Sequence, residues 1–90
     1  MKMIKFREDI FITKTNDEAI IILDGETDEF WGMDGPLSTI ILSIFENKSI
    51  DLDDILLNVL EKYNVSQEEL IIDVKDCFET LVQNKIASYE

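Results

Sequence analysis

The first third of the chain places short apolar runs between polar turns, a pattern typical of β-strands. The predicted strands cover residues 10–14, 19–23 and 27–33. Turn-forming residues 15–18 follow the first strand, and the strong turn signal Asp24-Gly25 follows the second. Consecutive short strands joined by short polar turns predict a three-stranded antiparallel meander.

The remaining two thirds carry apolar residues at helical spacing. Pro36 suits a first helical position, where its missing N–H costs nothing, and Asp34-Gly35 can cap just before it. The apolar stripe of this first helix consists of Leu37, Ile40, Ile41, Ile44 and Phe45. The polar residues 46–49 then predict its end.

Capping signals mark two further helices. Asp51 is a plausible N-cap for the second helix. Ser66 and Glu69 have the spacing of a capping box, which begins a third helix that reaches Asn84. Residues 86–89 predict a short terminal extension or strand. Three strands followed by three helices predict an α+β fold, like a winged helix-turn-helix, in a single domain over residues 1–90.

The charge is strongly acidic and unevenly spread. Eight Lys and Arg against twenty Asp and Glu give a formal net charge of −12. Residues 1–14 carry a local +2, whereas residues 15–90 carry −14. A partner attracted by this field is cationic rather than anionic.

The composition excludes several chemistries. The chain has no His, which removes imidazole catalysis and His metal sites, and no metal or cofactor is expected. Its single cysteine, Cys77, cannot form an internal disulfide, which fits a cytoplasmic location. The longest uncharged stretch, residues 35–45, is far shorter than the about 20 residues that span a membrane. Charge near the N-terminus predicts no secretory signal.

Candidate reactive groups each have a structural explanation. The carboxylates of residues 51–54 and 24–29 can serve acid–base chemistry or calcium, but they fit a helix N-terminus and a solvated turn better. Cys77 lies on the apolar stripe of the third helix and has no His to activate it, so a structural thiol is the better interpretation. An enzyme is therefore not expected.

A nucleic-acid partner is also not expected. The third predicted helix would be the recognition helix of a DNA-binding protein. It carries five acids against the single Lys75, and it would therefore repel phosphates.

The third predicted strand suggests a binding role. If residues 27–33 lie at a sheet edge, a partner peptide can add there through main-chain hydrogen bonds. Phe30 and Trp31 alternate in direction, so one of them points away from the core. In the alternative, both rings cap the core, and Asp28 and Glu29 merely blunt the edge.

Four segments in order resemble the PqqD-like family, whose members include the pyrroloquinoline quinone biosynthesis chaperone and the standalone recognition proteins of lasso-peptide pathways. Residues 30–41 resemble its aromatic-aromatic-Gly-Leu-Asn start and the turn into the first helix. Residues 50–55, 63–70 and 73–81 resemble its Thr-hydrophobic-acid-acid-Ile, Tyr-x-Val-x-x-Glu-Glu and Asp-Val-x-x-Phe-x-x-Leu segments. The resemblance covers residues 10–88.

The sequence departs from the family pattern at three places. Ile41 stands where many relatives carry Trp, and Asp34 replaces the usual Asn. Residues 84–86, Asn-Lys-Ile, stand where a Lys-Gly-Leu/Ile ending is common.

The resemblance implies a precursor-peptide recognition element that binds the leader of a ribosomally made peptide by strand addition. It would deliver that leader to a radical SAM enzyme, a cyclodehydratase or a leader protease. The acidic charge and the short apolar stretches predict no nucleic-acid or membrane partner, and an open edge is compatible with a monomer or a weak dimer. The residues that the resemblance implies for leader binding are Asp28, Glu29, Phe30, Trp31, Gly32, Ile72, Asp73, Asp76, Cys77 and Thr80. The alternative function is a winged-helix protein–protein adaptor or regulator.

Overall fold

A computed structural model describes residues 1–16, 18–47 and 49–90. Asp17, in the predicted first turn, and Lys48, at the predicted end of the first helix, lie outside the described residues. The elements in chain order are β1 (Ile4–Phe6), β2 (Ile10–Asn16), β3 (Ala19–Asp24), β4 (Phe30–Asp34), α1 (Gly35–Glu46), α2 (Leu52–Lys62), α3 (Gln67–Gln83) and β5 (Ala87–Tyr89). The predicted α+β architecture, a three-stranded sheet followed by three helices, is confirmed.

The main sheet is an antiparallel meander in the order β2-β3-β4. The register pairs Ile12 with Ile22 and Ile22 with Trp31, so these side chains share the inner face. Ile20 and Ile22 are fully buried against the helices. The predicted turn at residues 15–16 is wrong, because β2 continues to Asn16.

A second, two-stranded sheet joins the two ends of the described chain. β1 pairs antiparallel with β5, with Lys5 opposite Ser88. The pairing is extended by Glu90, whose N–H donates to the Met3 carbonyl at 3.0 Å. The terminal strand was predicted as one of two options, but β1 was not predicted.

The helix caps match the sequence signals. The Asp51 carboxylate accepts from the Asp53 N–H at 2.9 Å, and the Ser66 hydroxyl accepts from the Glu69 N–H at 3.1 Å. Asp34 precedes α1 with extended backbone but makes no side-chain capping bond. Gly35, just after it, has a φ of 69°, a left-handed conformation that favours glycine.

One apolar core lies between the inner face of the main sheet and the helices. α1 contacts β2, β3 and β4, and α3 packs against α1 and β5. Buried Ser38 ties α1 to the β2–β3 hairpin, because its hydroxyl donates to the Glu18 carbonyl at 3.0 Å. The buried apolar residues are Ile4, Ile10, Ile20, Ile22, Ile40, Ile41, Ile44, Leu52, Ile55, Val59, Leu70, Val74, Phe78, Leu81, Ile86 and Ala87.

An ion cluster around Arg7 fixes the turn before β4. The guanidinium contacts the carboxylates of Asp9 and Asp24 and donates to the Lys85 carbonyl at 2.7 Å. Burial of Asp24 acts to raise its pKa, but the backbone N–H of Glu26 and the Arg7 guanidinium outweigh it and hold the pKa below the ordinary value. This cluster therefore links the β3–β4 turn to the C-terminal end of α3.

Within the described ranges, no helix is long and apolar enough to cross a membrane.

Candidate functional site

β4 is an edge strand of the main sheet, and one of its sides is open. β3 pairs along its other side, and no strand among the described residues adds to the free side. The Asp24 N–H donates to the Glu29 carbonyl at 2.9 Å, and the Gly35 N–H donates to the Glu18 carbonyl at 2.8 Å. These two bonds mark the hydrogen-bonded pairs that flank β4.

Hydrogen-bonded and non-hydrogen-bonded pairs alternate along an antiparallel ladder, so these two bonds fix the direction of the backbone N–H and C=O groups of every residue in β4. Trp31 and Met33 direct their backbone groups to β3. Phe30, Gly32 and Asp34 direct their N–H and C=O groups to the open side. The edge therefore offers a row of main-chain donors and acceptors at every second residue, which is the requirement for strand addition.

An apolar groove of about 380 Å³ runs along this edge, between β4 and α3. Trp31 and Met33 form its sheet side, and both are half-buried. Leu37 from the first turn of α1 also lines it. The full lining is Ile22, Trp31, Gly32, Met33, Leu37, Asp73, Asp76, Cys77, Thr80, Leu81, Asn84 and Ile86.

The α3 side of the groove has a polar, acidic rim. Asp73 and Asp76 are exposed one helical turn apart. The Thr80 hydroxyl donates to the Asp76 carbonyl at 2.9 Å, and the Asn84 amide donates to the Thr80 carbonyl at 2.8 Å. These bonds use the Thr80 hydroxyl hydrogen and one hydrogen of the Asn84 amide, so the rim is dominated by the acceptors and negative charge of Asp73 and Asp76.

Cys77 lies in the groove as a half-buried thiol. Burial raises its pKa to about 11, so the thiol stays protonated at neutral pH. Its protonation makes it a poor nucleophile and an apolar contributor to the groove wall.

A larger cavity, of about 440 Å³, lies between β1, β2 and the end of α1. The rings of Phe6 and Phe45 pack edge-to-face there, 5.9 Å apart. It borders the three-residue strand β1, whereas the groove borders the open side of the five-residue strand β4. The groove is therefore the better candidate for binding an extended chain.

Two solved structures have a similar fold along almost their whole length. One is TbiB1 in complex with the TbiA(β) leader peptide, with a TM-score of 0.75 and 19% identity over 93% of this chain and 94% of that chain. The other is lasso peptide synthetase B1 complexed with the leader peptide, with the same TM-score and identity over 94% and 96%. The chain has their fold. No family model and no curated protein matches its sequence.

Six of the residues expected at the site line the groove together: Trp31, Gly32, Asp73, Asp76, Cys77 and Thr80. Phe30 belongs to β4, but it points to the opposite face of the sheet and is 69% exposed. Ile72 is exposed on α3 and is not part of the groove lining. The apolar surface of the groove therefore comes from residues other than Phe30 and Ile72.

The predicted start of the third strand is wrong. Asp28 has a φ of 62°, a left-handed conformation, and its N–H donates to the Asp24 carbonyl at 2.9 Å. The turn therefore includes Asp28 and Glu29, and β4 begins only at Phe30. The Glu29 N–H bonds the Thr27 hydroxyl at 3.3 Å and its carbonyl faces β3, so residue 29 offers no strand-like donor to the open side.

Sequence reasoning missed half of the groove lining. Met33 was detectable, because it lies two residues after Trp31 and shares its face. The helical spacing places Leu37 and Leu81 on apolar stripes, and Ile86 falls in the predicted terminal extension. Only the packing of α3 beside β4 brings the three residues to one groove.

The acidic residues show no sign of a metal centre. In the part of the chain that the structure describes, no three His, Cys, Asp or Glu side chains are placed to hold a metal ion. Asp51 caps α2, and Asp53 and Asp54 lie in its first turn, as the structural interpretation expected.

Proposed function

We propose that this protein is a precursor-peptide recognition element of the PqqD-like kind. It binds the leader segment of a ribosomally synthesised peptide as an added strand on β4. The observation that carries this proposal is the junction of an open strand edge with an apolar groove. The shared fold with two leader-bound proteins supports it.

The two parts of the site have separate tasks. The edge groups of Phe30, Gly32 and Asp34 supply main-chain hydrogen bonds, which hold any extended peptide. The groove receives every second side chain of that peptide, so its apolar floor selects aliphatic or aromatic residues there. The edge thus provides affinity for many sequences, and the groove selects among them by their side chains.

Binding alone accounts for the proposed biological effect, and no catalytic step is assigned to this chain. An unbound leader is a disordered segment, and ordering it on β4 costs entropy and keeps the affinity modest. The benefit is a high effective concentration of the tethered precursor at a modifying enzyme. That enzyme is a radical SAM enzyme, a cyclodehydratase or a leader protease, and the complex forms in the cytoplasm with a monomeric or weakly dimeric recognition protein.

The acidic surface contributes to the encounter. Asp73 and Asp76 on the groove rim, together with a net charge of −12, favour basic residues in the leader or in the enzyme. This attraction weakens as salt rises.

A fluorescence titration tests the proposal directly, because Trp31 is the only tryptophan and lies in the groove. The titrants are synthetic peptides encoded by short open reading frames beside the gene, each with a scrambled control. A saturable change at micromolar peptide, absent with the scrambled sequence, is expected.

A matched pair of variants locates the binding. Met33→Asp puts a carboxylate into the groove and should abolish the response. Leu57→Asp makes the same kind of change at a residue on α2 that is 59% exposed, and it should bind like the wild type. Equal binding by both variants would refute the groove as the binding site. If the wild type binds none of the peptides, the alternative function of a winged-helix adaptor is favoured.

A further inference from the structure

The outer face of the main sheet carries an exposed apolar row. Phe11, Leu23 and Phe30 are direct partners across β2, β3 and β4. They are 58%, 38% and 69% exposed. The row therefore runs across the sheet and ends at the open side of β4.

The next row on the same face consists of Thr13, Ile21 and Gly32. Gly32 is exposed, and a Cβ built on it would meet no atom within 4 Å. Its φ lies outside the left-handed region, so neither sterics within this chain nor backbone conformation requires a glycine. A glycine inside a strand weakens it and often marks a place where another chain approaches closely.

Gly32 also borders both faces of the sheet at the open edge. It lines the groove on one side of β4 and leaves an open space beside Phe30 and Ile21 on the other. Its N–H and C=O groups face the open side, so an added strand hydrogen-bonds directly to it. The residues of that strand that pair with Phe30 and Gly32 share their pleat and point to the outer face.

We propose that side chains of the bound peptide are recognised on both faces of the sheet. Besides its inward residues in the groove, it carries one large apolar side chain, aromatic or leucine-like, at an outward position. That side chain lies over Gly32 and packs against Phe30 and Ile21, and it adds apolar surface beside the apolar row. This inference rests on the proposed strand addition at β4 and names a second specificity position within it.

The chemistry of the outer face favours this occupant over a polar one. Aromatic and β-branched neighbours across a strand pair stabilise each other, and Phe30 and Ile21 are of these types. An aromatic side chain can cover a strand glycine on the neighbouring strand. A small or charged outward residue would leave the ring of Phe30 exposed to water.

The test is a display selection of random 14-residue peptides on the folded wild-type protein. Enriched peptides should alternate, with apolar residues at the inward positions and Phe, Tyr, Trp or Leu at one outward position. Changing that outward residue to Ala in the best peptide should weaken binding to the wild type about tenfold.

Three variants assign the effect to the outer face. Gly32→Thr places a strand-favouring side chain where a Cβ meets no atom within 4 Å, and Phe30→Ser removes the packing ring. For both variants, the best peptide and its Ala version should bind almost equally. Phe11→Ser is the matched control, because it lies in the same apolar row but on the far edge strand, and it should keep the tenfold difference.

The outcomes separate the two proposals. Apolar inward positions with random outward positions would overturn this inference and leave strand addition intact. A retained tenfold difference in both Gly32→Thr and Phe30→Ser would also overturn it. If the wild type enriches nothing beyond what Met33→Asp enriches, strand addition itself fails, and the outer-face position is refuted with it.

Discussion

One backbone N–H at the open edge gives a sharp test of strand addition. The hydrogen-bonding alternation directs the Phe30 N–H away from β3 and toward the added strand. Phe30→Pro removes this donor, and Phe30→Ala keeps it, while both variants lose the ring. Comparing the two variants with each other therefore isolates a single main-chain hydrogen bond.

The expected size of the difference follows from hydrogen-bond energetics. One intermolecular N–H···O bond contributes about 1 kcal/mol net, which corresponds to about fivefold in the dissociation constant. A peptide carbonyl left unpaired beside the apolar groove would increase the loss. Calorimetric titration of a peptide enriched on the wild type, against each variant, measures the ratio.

The fold should tolerate the substitution. Phe30 is the first residue of an edge strand, a position where proline is accepted. The melting temperatures of Phe30→Pro and Phe30→Ala should agree within about 4 °C, since about 1 kcal/mol already shifts a domain of this size by 4–8 °C. Trp31→Pro, whose N–H faces β3, should instead destabilise the sheet. Equal peptide affinities of Phe30→Pro and Phe30→Ala, with both folded, would refute the assigned edge.

Three further predictions concern stability and reactivity. The lowered pKa of Asp24 means that its ionised form stabilises the fold above about pH 4, and that this contribution is lost as the pH falls through the folded-state pKa. In urea unfolding, the stability cost of Asp24→Asn should therefore be larger at pH 7 and should shrink as the pH falls below about 4; a cost that does not change with pH would contradict this. Lys85 has a φ of 61°, so Lys85→Gly should raise the free energy of unfolding by about 1 kcal/mol, and a loss would show that its side chain matters more than its backbone. Because burial raises the pKa of Cys77 to about 11, its reaction with iodoacetamide should be slow at pH 7 and faster at pH 9, and bound peptide should block it; a fast rate at pH 7 would contradict the burial.

Local signals were sufficient for the helices. Asp51 and Ser66 cap the predicted helices, because capping depends on residues only two or three apart in sequence. β1 had no such signal: it has three residues, and its partner β5 lies about 80 residues away. Only the closing of the fold brings those two strands together.

The start of β4 was misplaced for a specific energetic reason. β-propensity alone extends the strand back to Thr27, but the buried Asp24 carboxylate accepts from the Glu26 N–H at 2.9 Å and binds Arg7. These bonds close a turn that takes in Asp28 and Glu29. Local bonds and the contact with Arg7, 17 residues earlier, both hold Asp24 in this turn, and the contact with Arg7 cannot be seen in the local sequence.

Trp31 and Phe30, both predicted for the site, lie on opposite faces of one strand. Trp31 was expected at the groove and lies there, because its partner Ile22 faces the core. Phe30 was expected at the binding edge, where its backbone groups do face the open side, and its ring turns outward. A one-residue change of register exchanges these faces, so the sequence alone leaves the assignment open. Once the register is known, Phe30 and Gly32 acquire a role that the groove does not need, since an added strand must present alternate side chains to both faces.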